Sequence, residues 1–251
     1  MSRERPLAPA SGTALPHAAP ARRCKSRLPE TAALLGTIAL FRELEPGLTS
    51  RIAAGTTVVE LPRGGVLFRP GDPCSGFHIV IEGRIKLSLH NAQGAERIVE
   101  LPGPGQSFGE AVMFLRIPYR VSAEALADSR LLHVSAIRVF AELDGDPRLA
   151  HRIIAGLSMR LHHLVSDLES QSLQSGTQRV VGFLLSLVDP DAGAGTVARL
   201  PARKNVIASR LNLTHEHFSR ILHGLAAAGA IRVEGQDILI PDVEALRRHP
   251  G

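Results

Sequence analysis

Tryptophan is absent from the chain, tyrosine occurs once and cysteine twice. Two thiols, Cys24 and Cys74, cannot staple a fold, which excludes a disulfide framework and fits a reducing cytoplasm. No apolar run approaches the roughly 18 residues that a membrane helix needs. No continuous apolar stretch follows the basic N-terminal residues, so a secretory leader is not expected. The chain is therefore read as soluble and cytoplasmic, with no membrane partner. Also missing are a nucleophile elbow with Ser, Asp and His partners, a glycine loop opening a helix and a metal-spaced His/Cys cluster. No enzyme is expected.

What is present divides into segments. The formal charge of +5 is uneven: residues 1–33 carry +4, residues 34–169 carry −1 and residues 170–251 carry +2. Residues 1–33, rich in Ala, Pro, Ser and Arg without sustained periodicity, read as a disordered tail. Such a tail is either a solvated leader or a basic arm that touches DNA phosphates. Residues 34–145 read as a β-rich domain. Short apolar runs such as Phe77-His78-Ile79-Val80-Ile81 and Ile85-Lys86-Leu87-Ser88-Leu89 alternate with turns such as Arg69-Pro70-Gly71-Asp72. Evenly spaced short strands with Gly/Pro punctuation indicate a barrel or double-sheet roll.

The period then switches. After Asp146-Pro147, apolar residues fall at Ala150, Ile154, Leu157, Leu161, Leu164 and Leu168, alternating gaps of four and three. That heptad stripe predicts one long helix over 146–171, about 37 Å at 1.5 Å per residue, pairing with a second copy. A helix packed wholly on its own domain is the alternative.

Residues 172–251 carry the most specific pattern. Val206, Ile207 and Leu211 make one side of a short helix, and Asn212-Leu213-Thr214 is a tight connection ending in a good N-cap. Phe218, Ile221, Leu222 and Leu225 then fall at helical spacing on one face. The opposite face carries His215, Glu216, Ser219 and Arg220, at the end a recognition helix pushes into the major groove. A carboxylate accepts from cytosine N4, a guanidinium forks onto guanine O6 and N7, and a hydroxyl serves base or phosphate. Arg203, Thr214 and His215 are expected to join the contact with double-stranded DNA. Ile231-Arg232-Val233-Glu234 and Ile238-Leu239-Ile240 around Gly235-Gln236-Asp237 make a two-stranded wing. The fold class is α+β: a β-roll, a long dimerisation helix and a winged helix-turn-helix.

From about Leu40 to the C-terminus the chain resembles the Crp/Fnr family of bacterial regulators. Glu216-His217-Phe218-Ser219-Arg220 matches the Glu-x-x-Ser-Arg signature of the Fnr branch. The resemblance implies a cyclic-nucleotide-binding-type roll, a homodimer on an inverted repeat with TTGAT- or TTGAC-like half-sites, and contact with RNA polymerase. It implies Glu216, Ser219 and Arg220 as base readers. Gly109-Glu110-Ala111-Val112-Met113-Phe114 followed by Pro118, Leu157–His162 and Gln178-Arg179-Val180-Val181 look like the Dnr branch. That branch implies an activator responding to nitric oxide.

Three effectors follow for the roll. An iron–sulfur cluster needs about four clustered thiolates and is rejected on two separated cysteines. A cyclic nucleotide would use Gly109, Glu110 and Arg120, at the family's phosphate-cassette spacing. However, Val121 stands where the family usually has Ser or Thr, with Ser122 one place later. A Glu110–Arg120 structural ion pair is the competing reading. Haem, implied by the Dnr likeness, wants an axial His; among His78, His133, His151, His162 and His163, the family context favours His162. The reading is an Fnr/Dnr-like regulator of the response to low oxygen or nitrogen oxides. The alternatives are a cyclic AMP-dependent Crp-like regulator and a cyclic-nucleotide module that does not bind DNA.

Overall fold

The computed structural model describes residues 22–24, 28–38, 40–42, 44–91, 93, 95–189, 193 and 195–249. Backbone alone is described at 23, 24, 163 and 167–173. In chain order the elements are β1 (Arg22–Cys24), α1 (Leu28–Thr37), α2 (Pro46–Ala54), β2 (Thr56–Leu61), β3 (Val66–Phe68), β4 (Gly76–Glu82) and β5 (Ile85–His90). Then come β6 (Glu96–Glu100), β7 (Ser107–Phe108), α3 (Glu110–Leu115), β8 (Ser122–Ala125), β9 (Ser129–Ser135), α4 (Ala136–Leu143) and α5 (Pro147–Leu173). The C-terminal part holds α6 (Gly176–Leu185), β10 (Thr196–Arg199), α7 (Lys204–Arg210), α8 (His215–Ala227), β11 (Arg232–Glu234), β12 (Asp237–Ile240) and α9 (Val243–Arg247). Among the described residues no helix is long and apolar enough to cross a membrane.

The single-tail reading of residues 1–33 is corrected where the chain is described. Arg22–Cys24 extends a sheet by pairing antiparallel with β2, Arg22 opposite Glu60. Helix α1 starts at Leu28 with Pro29 in its first turn, which suits proline, and buries Thr31 and Leu35. Its apolar face is only two turns long, too short to stand out beside an Ala/Pro-rich neighbour. Residues 1–21 and 25–27 of that expected tail lie outside the described residues.

The roll consists of two antiparallel sheets, in orders β1-β2-β9-β4-β7 and β3-β8-β5-β6. Between them Val59, Leu61, Phe68, Val80, Ile85, Phe108, Tyr119 and Leu131 form one core. Rings fill its centre: Phe68 stacks on Tyr119 at 3.6 Å, and His78 lies 5.4 Å from Phe108. Gly83, at φ 83°, turns β4 into β5 where any Cβ would meet the Asp128 carbonyl at 2.6 Å, so only glycine fits. On the outer face of the first sheet α1, α2, α4 and the start of α5 pack through Leu35, Phe41, Leu48, Ile52 and Leu149.

Helix α5 opens on Pro147 behind Asp146, whose carboxylate accepts from the Arg148 backbone N–H at 2.9 Å and ion-pairs with its guanidinium at 2.8 Å. Leu149 and Ile153 sink into the roll's helical layer, and Leu157 packs against the same cluster. Ser175 then caps α6 through a reciprocal capping box with Gln178.

The winged helix has its own core of Val180, Leu184, Ile207, Phe218, Ile221, Leu222, Leu225, Ile238 and Ile240. The expected wing, β11 and β12, gains a third strand: β10 pairs with β12, Ala198 opposite Ile238. Asn212 takes φ 55° between α7 and α8, a left-handed position that asparagine tolerates better than most residues. Phe218 is fully buried at the centre of this core. Phe218→Ala is expected to cost about 3–5 kcal/mol by chemical denaturation. The winged helix also docks on the roll. The Ile98 backbone N–H donates to Ser209 Oγ at 3.3 Å, and Leu101 and Leu126 pack against the winged-helix cluster.

Candidate DNA interface and effector pocket

Thr214 caps α8, its hydroxyl accepting from the His217 backbone N–H at 3.2 Å. The cap fixes the helix phase, so Phe218, Ile221, Leu222 and Leu225 point into the core. His215, Glu216 and Arg220 are exposed, and Ser219 is partly so. The Glu216 carboxyl is held below the usual range by its own backbone N–H and the Thr214 hydroxyl, with His215 and Arg220 adding charge. It stays an acceptor-only carboxylate at neutral pH, the form that takes a hydrogen bond from a base amine. Arg203 stands at the N-cap position of α7 without a side-chain capping bond and is exposed. The first turn of α8 abuts that of α6, where a Cβ at Gly176 would meet His217 Cε1 at 3.1 Å.

The candidate effector residues differ in exposure. Gly109 sits at φ 96° just before α3, and Glu110 is buried. Arg120 is exposed, and the Glu110–Arg120 ion pair, the alternative to ligation, does not form. Glu110 instead faces Arg160 of α5, with Nη1 at 3.6 Å from the carboxylate. The same guanidinium donates to the Ser107 carbonyl at 2.8 Å and pairs with Glu100. Val121 packs against the roll interior. Nothing in the linear pattern marks Arg160, because an arginine on a long amphipathic helix reads as part of a solvated face. Its partners are also far away in the chain.

Burial pushes the Glu110 carboxyl above the usual range, against Ser107, its own backbone N–H and Arg160. The folded chain therefore holds that proton more tightly than the unfolded chain does. The stabilisation is present at low pH and is lost as pH rises through the raised value. Relative to Glu110→Gln, the unsubstituted chain should thus gain thermal stability as pH falls from 8 to about 5. Parallel melting curves check this, and other carboxylates cancel in the comparison.

The space beside Glu110, lined by Leu40, Phe77, Ser107, Phe114, Leu157 and Arg160, measures about 60 Å³. At about 30 Å³ per water it holds roughly two waters. Neither a porphyrin nor a nucleotide fits there. His162 is exposed on α5 and does not line that space. Among the described residues the buried histidines are His78 and His133, cross-strand neighbours on β4 and β9 with rings 4.9 Å apart. His163 lies outside the residues with described side chains. Among the described residues no cluster of His, Cys, Asp or Glu is placed to hold a metal ion.

Of the expected seam, Ile154, Leu161 and Leu164 are exposed, whereas Ala150 is half-buried and Leu157 belongs to the roll's cluster. The stripe is thus split, because α5 turns one edge toward its own domain and leaves the other exposed. The Leu168 side chain lies outside the described residues.

Comparison with known proteins follows the same division. Residues 58–145 match a cyclic nucleotide-binding domain and residues 178–249 a Crp-like helix-turn-helix domain. The cyclic AMP receptor protein of Thermus thermophilus is 30% identical over 68% of this chain and 78% of its own length. A solved structure of Ruegeria pomeroyi DSS-3, assigned as a cyclic nucleotide binding protein, is 34% identical, covering 86% of this chain and 95% of that one, with TM-score 0.61. The sensor domain of the transcriptional regulator DNR of Pseudomonas aeruginosa is 31% identical over 58% of this chain and 98% of its own, with TM-score 0.50. With roll, linking helix and winged helix in that order, the chain belongs to the Crp/Fnr family of DNA-binding transcription regulators.

Proposed function

We propose that the chain works as a homodimeric activator that reads an inverted repeat of TTGAT- or TTGAC-like half-sites and responds to low oxygen or nitrogen oxides. The observation that carries the DNA reading is α8, which turns Glu216 and Arg220 to solvent while Phe218 and Leu222 anchor it. Two such helices, about 34–36 Å apart on a two-fold axis, would enter successive major grooves and present RNA polymerase with a fixed geometry. Supporting the signal are the likeness to the DNR sensor domain and the departure from a nucleotide cassette at Val121. Because neither haem nor nucleotide fits beside Glu110, an effector entering there must part α5 from the roll at the Arg160 contacts. That parting would change how the two α5 helices meet, shifting the DNA-binding population.

Fluorescence anisotropy against a TTGAT-type palindrome and a scrambled duplex tests the DNA reading; equal affinities would sink it. A second reading, a cyclic AMP-dependent regulator, is favoured by the matched cyclic nucleotide-binding domain. Calorimetry with cyclic AMP on the chain and on Arg120→Ala separates the two. Binding that Arg120→Ala abolishes supports the nucleotide reading. Absence of heat, with an absorption band that shifts under nitric oxide in haem-supplied protein, supports the nitrogen-oxide reading.

A further inference from the structure

A cleft opens where the winged helix docks on the roll. Its volume is about 590 Å³, with Arg63, Arg84, Lys86 and Glu124 on the roll side and Arg203 and Gln236 on the other. Small-molecule sites span roughly 300–1,000 Å³. The charge of this cleft is one-sided. Lys86 is met by Glu96 at 2.7 Å and by Glu124 at 3.1 Å, which accounts for both carboxylates. Among the described residues no carboxylate lies within ion-pair distance of the Arg63, Arg84 or Arg203 guanidinium. Arg84 is the most informative of these. Its Nη1 donates to the Leu101 carbonyl at 3.0 Å, and its guanidinium lies so close to Gly103 that a Cβ there would meet Nη2 at 2.8 Å. Burial alone pulls its pKa down. A guanidinium carries five N–H donors and keeps its charge in proteins, so with a single acceptor among the described residues Arg84 has donors left for a ligand.

We infer that this cleft binds a small phosphorylated anion, held by Arg84 and Arg63 from the roll and by Arg203 from the winged helix. Phosphate oxygens match the guanidinium fork, so one phosphate group can take parallel bonds from either side. The site is separate from Glu110 and Arg120. Because its cations come from both halves of the chain, the bound anion would tie the DNA-binding half to the sensor half. Arg203, expected from sequence to touch DNA, would instead be engaged inside the protein.

Isothermal titration calorimetry of the full chain with inorganic pyrophosphate and with adenosine diphosphate tests this. At least one is expected to bind. Affinity should fall about tenfold in Arg84→Gln and about tenfold in Arg203→Gln, as for loss of a charge-assisted bond, and be unchanged in Arg138→Gln, an exposed position outside the cleft. Tighter binding of the nucleotide would place its nucleoside in the cleft as well; equal affinities would assign recognition to the phosphates. Arg203 is exposed, so its variant reports on the site even if Arg84→Gln fails to fold. No heat with either probe at millimolar concentration, or binding that survives both substitutions together, overturns the inference. So does a loss of DNA affinity in Arg84→Gln without binding of either probe, which would make the cleft part of the DNA footprint.

Discussion

A chain carrying both Glu216→Ala and Arg220→Ala is expected to lose its preference for a TTGAT-type repeat over scrambled DNA on the order of 100- to 1,000-fold. A good hydrogen-bonded pairing with a base edge discriminates by about 1–3 kcal/mol, and each factor of ten corresponds to about 1.4 kcal/mol. Truncating two base-reading side chains on each recognition helix therefore removes most of the specificity. What should remain is weak, strongly salt-dependent binding, since phosphate contacts from other residues carry no sequence information. Neither side chain belongs to the buried face of α8, so the substitutions should leave the melting temperature nearly unchanged. Glu216→Ala alone should relax discrimination at one base position and leave the rest of the site readable. Anisotropy titrations at two salt concentrations, against the repeat and a scrambled duplex, measure both quantities. An unchanged preference in the double variant would mean that another surface reads the DNA.

The winged helix was the most legible part of the sequence because local signals agreed there. The Thr214 cap, the helical spacing from Phe218 to Leu225 and the short connection at Asn212 all specify the same arrangement within a few residues. The roll was legible as a class, since short strands and glycine turns repeat. Its partnerships were not. Glu110 could be matched to Arg120 by nearness in the chain, yet the fold gives it Arg160, a contact that exists only once α5 lies against β7 and α3. Strand β10 escaped because four residues beside a glycine-rich turn show too little alternation, and its partner β12 lies about forty residues on. The heptad stripe shows a related ambiguity. Periodicity gives the spacing of an apolar edge without saying what covers it, and on α5 Leu157 is covered by the roll.

That division makes the dimer prediction specific. On α5 the residues Ile154, Leu161, Leu164 and Val165 are 59%, 63%, 46% and 45% exposed in the single chain. They form an apolar ridge that soluble proteins seldom leave facing water. Pairing the ridge with its two-fold copy would bury it and set the spacing of the recognition helices. Leu161→Glu with Leu164→Glu places four carboxylates in that seam, where desolvation and mutual repulsion oppose association. The variant is expected to sediment as a 26.9 kDa monomer. Its affinity for the full repeat should fall about 100-fold or more, because the second half-site is no longer engaged intramolecularly. Its far-UV circular dichroism should match the unsubstituted chain, since both leucines are exposed and neither supports the roll. Leu157→Glu should behave differently, lowering the melting temperature by putting a charge against the roll's helical layer. A dimer that persists with both glutamates would move the interface off α5. In that case the recognition helices would be spaced by some other surface of the roll.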